Sequence, residues 1–167
     1  MIIAIDVHYK ENIAKTVSIE FDNWLDAEPT ATHIVKIPVV AEYVPGQFYK
    51  RELPCILEIL KLSDLSKASA IIVDGYVVLD DEGGKGLGGY LYEALNQKIP
   101  VIGVAKRSFR NLDKKVIPVK RGESKNPLFV TALGGDLVDY AEKIAQMDGA
   151  FRIPTLLKIL DMETKKE

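Results

Sequence analysis

Two apolar, β-branched runs separated by a segment with helical spacing most strongly constrain the fold of this 167-residue chain. The first run is "SAIIVDGYVVLD" (69–80), broken by Asp-Gly, and the second is "IPVIGVAK" (99–106). Between them, "GLGGYLYEALNQK" places its leucines, tyrosine and alanine at the spacing of one helical face. Strand, helix and strand in this order, with nearly continuous apolar strands, predicts that the two strands pair in parallel.

The amino-terminal part predicts a different arrangement, an antiparallel meander. Its candidate strands are "MIIAID", "AKTVSIEF" and "HIVKIPVV", with a turn near residues 10–12 and a longer connection through "DNWLDAEPTAT". A helix is predicted after Glu52, in "PCILEILKL". The sequence therefore predicts one α/β domain over residues 1–167, with a mixed sheet whose first three strands are antiparallel, followed by parallel strands, and with helices on its faces.

The last third of the chain predicts two more strands and two more helices. The strands are "KKVIPVK" and "PLFVTAL", and "GDLVDYAEKIAQM" predicts a helix capped by Asp136. The tail "IPTLLKILDMETKKE" predicts a short helix that fades into a frayed, charged end. In mixed sheets of this kind, ligands collect at the carboxyl ends of the parallel strands, which is where a functional site is expected.

Composition excludes several classes of protein. The chain is 47% hydrophobic and 28% charged, which is a globular composition. Its single cysteine, Cys55, excludes an intramolecular disulfide and a multi-cysteine zinc site, and its apolar surroundings predict an inert packed thiol. No apolar run approaches the roughly 20 residues that span a bilayer, and no signal-peptide pattern opens the chain, so we expect a cytoplasmic protein without a membrane partner.

The net charge of −2 excludes binding to long nucleic acid by overall charge alone. A local cluster can still hold phosphates, and "KRSFRNLDKKVIPVKR" (106–121) is rich in lysine and arginine. A solvated basic loop explains this segment as well as a phosphate-binding surface does.

Two aspartates end apolar runs, although aspartate is a poor strand residue. Asp6 ends the first strand and Asp74 ends the strand before Asp-Gly. If the two strands are neighbours, about 4.8 Å apart, their carboxylates can share a hard cation. Each aspartate also has a simpler explanation as the start of a loop. Glu52 would complete a metal site if its helix began near the same strand ends, which chain order alone does not establish.

The order of these motifs resembles the endonuclease V family, a family of ribonuclease-H-like nucleases. "AIDVHY" is similar to the family's opening strand, which implies that Asp6 is a metal ligand. "YVPGQFYKRELPCILEIL" resembles the family's Tyr-Ile/Val-Pro-Gly segment that runs into Phe-Arg-Glu, which implies the same role for Glu52. "IIVDG" resembles the third acidic segment, at Asp74.

The remaining matches imply further site residues. "IPVIGVAK" is similar to the family segment whose lysine, here Lys106, lies near the substrate phosphate. "GAFRIPTLLKILDM" resembles the closing segment, which places Asp161 where relatives carry an aspartate or histidine that supports the metal. The turn that includes Pro45 and Gly46 would present Tyr43 as an aromatic wedge between bases, although an amphipathic tyrosine lying over a sheet edge explains it equally well.

The chain also departs from the family pattern. Asp80 stands at about the position of a family histidine, Gly89 and Tyr90 replace a Ser-His pair, and "ALGGD" replaces a Gly-His-Arg turn. Residues that would contact phosphate or base are therefore missing, whereas the predicted metal carboxylates remain. The base would then be recognised by backbone amides near "VPGQ" and "DGYVV".

The resemblance implies an endonuclease dependent on Mg²⁺, or Mn²⁺, that hydrolyses a phosphodiester on the 3′ side of deoxyinosine or inosine in DNA or RNA. The predicted catalytic residues are Asp6, Glu52, Asp74, Lys106 and Asp161, and the predicted nucleic-acid contacts are Tyr43, Pro45, Gly46 and Lys106. One alternative is a family relative with weak or no cleavage activity that binds nucleic acid. A phosphohydrolase acting on small molecules with a similar sheet is a third possibility.

Overall fold

The computed structural model describes residues 1–39 and 49–167. The strands are β1 (Ile2–Lys10), β2 (Ile13–Phe21), β3 (Ala31–Pro38), β4 (Ala70–Asp74), β5 (Val101–Ala105), β6 (Ile117–Val119) and β7 (Leu128–Leu133). The helices are α1 (Tyr49–Leu60), α2 (Leu87–Ala94), α3 (Leu137–Gln146) and α4 (Thr155–Lys165), with a short 3₁₀ turn at Leu65–Lys67. Among these residues, no helix has the length and apolar character needed to cross a membrane.

All seven strands form one mixed sheet in the order β3-β2-β1-β4-β5-β7-β6. The first three strands form the predicted antiparallel meander, and β1, β4 and β5 run parallel to one another. The parallel part is limited to these three strands, because β7 pairs antiparallel with β5 and with β6. The chain between β5 and β7 contains no crossover helix, which a parallel connection would need.

Helices cover both faces of the sheet, as predicted. Alternate residues of the central strands point to opposite faces, so Ile3 and Ile71 pack with α1 and α2, whereas Ala4 and Ile72 pack with α3 and α4. These side chains are at most 2% exposed. Burial on both faces explains why β4 and β5 have no polar alternation in sequence.

Two boundaries differ from the sequence prediction. Helix α1 begins at Tyr49, before Glu52, and includes Pro54 in its second turn. Pro54 lies so close to the start of the helix that its missing N–H removes only one bond near the amino end. Helix α4 continues to Lys165 instead of fraying early, because Leu156, Leu160 and Thr164 keep one face of it buried.

The first hairpin turn has an unusual backbone. Glu11 and Asn12 connect β1 to β2, and both have positive φ angles, 52° and 64°. A two-residue turn with both residues in this region matches the right-handed twist of the paired strands. The tight turn fixes the register of the hairpin, which pairs Asp6 with Val17 and His8 with Lys15.

Candidate active site

Asp6 and Asp74 lie on adjacent parallel strands at the carboxyl edge of the sheet. Strand β1 pairs with β4 up to Ile5 opposite Val73, so the next residue of each strand is one of the two aspartates. The expectation that their strands are neighbours is confirmed. Both carboxylates lie where a mixed sheet places its ligand, at the ends of parallel strands.

Glu52 reaches the same place from a helix. It lies in the first turn of α1, is 7% exposed, and lines a cavity of about 370 Å³ together with Asp6 and Asp74. Val7, His8 and Tyr9 form the rest of the cavity wall. The structure therefore brings together three predicted site residues from β1, α1 and β4, which the sequence alone could not establish.

A second cavity adjoins the first and contains the other two predicted residues. It measures about 80 Å³, and Lys106 and Asp161 line it together with Asp6 and Asp74. Lys106 directly follows β5, and Asp161 lies on α4. The rest of the wall is mostly apolar, including Ile72, Val104 and Leu157 among others. Asp6 and Asp74 therefore stand between a small apolar cavity and a larger polar one.

Burial and mutual repulsion make the carboxyls hard to ionise. The pKa of Asp6 rises to about 7, first through burial and then through the negative charges of Asp74 and Asp161, against the opposing effects of the Val7 N–H and Lys106. The pKa of Glu52 rises to about 8, first through burial and then through Asp6 and Asp74. Desolvation and like charges at short range both favour the protonated form.

The pKa of Asp74 is also raised, although the positive charge of Lys106 lies nearby. Although Asp74 is exposed at the surface, desolvation by the surrounding protein raises its pKa, the positive charge of Lys106 lowers it, and Asp161 raises it again. Asp6 accepts one hydrogen bond, from the Val7 backbone N–H at 2.9 Å. Three acids with so little compensation form a site of concentrated negative charge that a cation would stabilise.

The donor set fits a hard divalent cation in chemical type, since it consists of carboxylate oxygens at a cavity that also admits water. The side chains are not, however, arranged around one common point. In the part of the chain that the structure describes, no group of three or more His, Cys, Asp and Glu side chains is placed so as to hold a metal ion. Asp6, Glu52 and Asp74 share a cavity without forming a ready coordination shell.

Asp161 is engaged with its own helix. Its carboxylate lies 3.2 Å from Lys165 Nζ and 4.0 Å from Lys158 Nζ, one turn away on either side. These are partly exposed pairs, which contribute little to stability. Asp161 faces the small cavity with a carboxylate that is already partly neutralised by lysines.

Sequence reasoning missed Arg51 as a neighbour of the site. Its guanidinium lies over the Tyr9 ring, with Cζ 3.9 Å from the ring centroid. The positive charge of Arg51 lowers the pKa of Glu52, against the dominant effect of burial. The adjacent Arg-Glu pair in "FYKREL" was the available signal, because a cation next to a buried acid offsets part of its charge.

Arg152 was also missed, and it supports the site from the other side. Its guanidinium donates hydrogen bonds to the carbonyl oxygens of Lys106 and, at 2.8 Å, Pro127. This ties the segment before α4 to the end of β5 and the start of β7. The backbone at Lys106 is thereby fixed by a side chain that lies 46 positions further along the chain.

Residues at the positions where the sequence departs from the family have structural contacts of their own. Asp80 accepts a hydrogen bond from the Gly84 N–H at 2.9 Å and so closes its own loop. Tyr90 stacks on Tyr49, with ring centroids 3.7 Å apart and an interplanar angle of 14°. That stack joins α2 to the first turn of α1, three positions before Glu52.

The predicted contacts Tyr43, Pro45 and Gly46 lie outside the described residues. Cys55 is a buried free thiol whose pKa is raised by burial, which agrees with inert packing. Of the eight predicted site residues, the five that are described all line the two adjoining cavities: Asp6, Glu52, Asp74, Lys106 and Asp161.

A mixed sheet with acids at the carboxyl edge of its parallel strands is the arrangement of ribonuclease-H-like proteins, and comparison with known proteins makes the class specific. The family model for endonuclease V matches residues 1–146. The chain therefore belongs to the endonuclease V family.

Curated relatives match part of the chain. Endonuclease V from Xylella fastidiosa strain 9a5c is 36% identical over 86 residues, which is 51% of this chain and 34% of that protein. Endonuclease V from the Temecula1 strain is 38% identical over 77 residues, 46% of this chain and 30% of that protein. The matched region thus spans about a third of the length of these curated relatives.

Solved structures with the same fold cover nearly the whole chain. Human endonuclease V has a TM-score of 0.74 at 20% identity, covering 98% of this chain and 82% of that one. Endonuclease V from Ciona intestinalis, in complex with a 24mer DNA containing an inosine followed by a ribo-adenosine, has a TM-score of 0.76 at 16% identity, covering 98% and 84%. At these identities the likeness establishes the fold, which confirms the predicted ribonuclease-H-like architecture.

Proposed function

We propose that this protein is a divalent-metal-dependent endonuclease that hydrolyses a phosphodiester on the 3′ side of a deaminated purine, deoxyinosine or inosine, in DNA or RNA. One observation supports this most strongly. Three acids from three separate elements line one cavity at the carboxyl edge of the parallel strands: buried Glu52, partly buried Asp6 and exposed Asp74. Membership of the endonuclease V family and the inosine-containing DNA bound by the Ciona relative support the substrate class.

Asp6, Glu52 and Asp74 would hold Mg²⁺ or Mn²⁺. The bound ion would polarise the phosphodiester and make a water molecule more acidic. Binding the cation also requires Asp6 and Glu52, with pKa values of about 7 and 8, to give up their protons. Metal affinity is therefore expected to rise with pH between about 6 and 9.

The chain's own residues would stabilise and orient the substrate. Lys106 faces the small cavity beside Asp74, where its ammonium group offsets negative charge on a phosphate entering the site. Arg152 holds the backbone of Lys106 and so limits its movement. The apolar wall of the small cavity excludes water from one side of the acids, which strengthens electrostatic interactions there.

An inosine-containing oligonucleotide incubated with Mg²⁺ or Mn²⁺ tests the proposal directly. We expect cleavage by the wild-type protein and a loss of more than about a hundredfold in Asp74→Ala, the order of effect of removing one preorganised electrostatic group. Asp139→Ala is the matched control, since Asp139 is an exposed acid on α3 that pairs with Lys143, away from both cavities. Oligonucleotides with guanine in place of hypoxanthine test the base, and DNA and RNA versions test the sugar.

A second candidate function is nucleic-acid binding with weak or no cleavage. It is favoured by the absence of a preformed three-ligand metal group among residues 1–39 and 49–167, and by Asp80 and Tyr90 at positions of family histidines. If neither metal supports cleavage of DNA or RNA while the inosine-containing oligonucleotide still binds, this second function replaces the first. The absence of both binding and cleavage would contradict both proposals.

A further inference from the structure

A groove lined by lysines lies beside the candidate active site, between the β1–β2 hairpin and the end of α4. It measures about 330 Å³, and its basic lining residues are His8, Lys10, Lys15, Lys36, Lys165 and Lys166. We call this the lysine groove. Five lysines on one small surface are unusual in a chain whose net charge is −2, so the groove is a local concentration of positive charge on a slightly acidic protein.

The sheet register places part of this charge in a single row. His8 on β1 pairs with Lys15 on β2, and Lys15 pairs with Lys36 on β3. Residues paired directly across strands have neighbouring side chains on one face, and two lysines in such a pair repel each other. The row therefore has an electrostatic cost that an anion lying over it would relieve.

Lys15 has a structural role within the row. It is 9% exposed, and its ammonium group donates hydrogen bonds to the carbonyl oxygens of Glu163 at 2.6 Å and Lys166 at 2.8 Å. Glu163 is in the last turn of α4 and Lys166 directly follows the helix, and a cation stabilises the carbonyl oxygens at such a helix end. Lys15 thus fixes the end of α4 against the sheet, while exposed Lys36 is left to face solvent over the groove.

Acidic residues in and around the groove form exposed ion pairs with Lys10 and Lys166. Glu11 and Glu167 also line it, and Lys10 pairs with Glu167 at 2.9 Å. Lys166 pairs with Glu163 at 2.6 Å. The lysines of these pairs are 60% and 63% exposed. Exposed pairs of this kind contribute little, so a phosphate can replace the carboxylate at small cost.

The lysine groove is continuous with the site of the acids. His8 lines both the groove and the cavity of Asp6, Glu52 and Asp74. Lys165, at the other side of the groove, pairs with Asp161 of the small cavity. A chain of phosphates that has one member at the acids can therefore extend directly along the groove.

We infer that the lysine groove binds the sugar–phosphate backbone of the polynucleotide flanking the cleaved bond. This inference rests on the proposed function, because it requires a polynucleotide in the neighbouring cavity. Charge complementarity selects the occupant, because the phosphates of a polynucleotide match the exposed lysines of the groove, Lys10, Lys36 and Lys166. The contacts would be independent of base sequence, since they reach only phosphates.

The double variant Lys36→Ala/Lys166→Ala tests the inference by salt dependence. Anisotropy of a fluorescein-labelled, single-stranded inosine oligonucleotide, measured in EDTA over a range of KCl concentrations, gives the slope of log K against log salt without cleavage. For single strands, each lost phosphate contact reduces the magnitude of that slope by about 0.7. We expect a reduction of about 1.4 for the double variant and an affinity roughly tenfold lower at low salt.

Two further variants separate charge from folding. Lys36→Arg/Lys166→Arg keeps the charges and should retain the wild-type slope. Lys67→Ala/Lys98→Ala removes two exposed lysines near the amino ends of β4 and β5, at the edge of the sheet opposite the acids, and should also retain it. A Lys36→Ala/Lys166→Ala variant with the wild-type slope would overturn the inference, even if the wild-type protein binds and cuts inosine substrates.

The experiments can contradict the proposed endonuclease activity without contradicting phosphate binding by the lysine groove. A wild-type protein that binds oligonucleotides with a slope dependent on Lys36 and Lys166, but cleaves none of them, would support the groove and contradict the endonuclease. A protein that binds no oligonucleotide at any salt concentration would contradict the groove directly.

Discussion

Two regions of this molecule contain a buried ionisable side chain, and the surroundings of the two side chains are opposite in charge. The Arg121 guanidinium, in a residue 4% exposed, donates hydrogen bonds to the carbonyl oxygens around the end of α3, including Ile144 at 2.8 Å and Gly149 at 3.1 Å. At the carboxyl edge of the sheet, Glu52 is 7% exposed beside Asp6, another acid. One buried charge is surrounded by opposite partial charges and the other by like charge.

The difference shows which charge serves the fold and which serves chemistry. Burying an ion is favourable only when hydrogen bonds and opposite charges replace its lost hydration, and Arg121 meets that condition within the protein. The acids do not, so the protein keeps a destabilising cluster that only a bound cation or protons would offset. Groups with strongly shifted pKa values in a cavity are candidates for function for this reason.

The largest effect is expected when the satisfied charge is removed. Arg121→Met would leave several buried carbonyl oxygens without donors, and such losses typically cost about 3–5 kcal/mol. Urea denaturation should therefore show a large decrease in the free energy of unfolding. The exposed neighbour Lys120 provides the control, and Lys120→Met should change stability by less than about 0.5 kcal/mol. A similar, small effect of both substitutions would show that Arg121 contributes little to the fold.

Removing one unsatisfied charge should have the opposite sign. Glu52→Gln replaces an acid whose ionisation is opposed by burial and by the charges of Asp6 and Asp74. We expect the metal-free protein to gain up to about 4 kcal/mol of stability at pH 8.5, since one pKa unit corresponds to about 1.4 kcal/mol. The same substitution should abolish metal-dependent cleavage. Glu58→Gln, on an exposed position of the same helix, should leave both properties unchanged.

The pH dependence of stability provides a check on the sign. The folded pKa values of Asp6 and Glu52, about 7 and 8, lie above their ordinary values of 3.8 and 4.5. The contribution of these two protonated acids to the free energy of unfolding is therefore fully present below pH 4 and is lost as the pH rises to about 8. Metal-free wild-type protein should lose stability over this window, and Glu52→Gln should lose less. Equal losses in the two proteins would contradict the raised pKa of Glu52.

Local sequence patterns predicted most of the fold. The parallel pairing of β4 and β5 followed from two apolar runs around a helical segment, and the meander followed from alternation and a short turn. The antiparallel pairing of β7 with β5 was not predicted, because strand direction at a sheet edge depends on connections whose path has no local signal. Helix α1 begins at Tyr49, before the predicted start after Glu52, and tolerates Pro54 because a proline near the amino end removes only one backbone hydrogen bond.

The site was predicted less completely than the fold. Asp6 and Asp74 stood out as acids at the ends of apolar strands, whereas Glu52 depended on the family resemblance, because its approach to them is a contact between distant segments. Arg51, Arg152 and the lysine groove were missed for the same reason. The row of His8, Lys15 and Lys36 exists only in the register of three strands, and in the sequence its members are scattered among ordinary surface residues.

A smaller effect is expected at Lys15, which combines features of both regions. Like Arg121, it donates to carbonyl oxygens at a helix end, but these lie closer to solvent. Lys15→Met should therefore lower the free energy of unfolding by about 1 kcal/mol, because water can donate hydrogen bonds to the carbonyl oxygens that the ammonium group leaves. Lys36 is the residue on β3 that pairs with Lys15. Lys36→Met removes the repulsion between these two lysines and should be neutral or slightly stabilising. Amide hydrogen exchange should show faster exchange in the last turn of α4 for Lys15→Met only. Unchanged exchange there would mean that burial of Leu156 and Leu160 alone holds the helix, and that Lys15 belongs with the groove's phosphate-facing lysines.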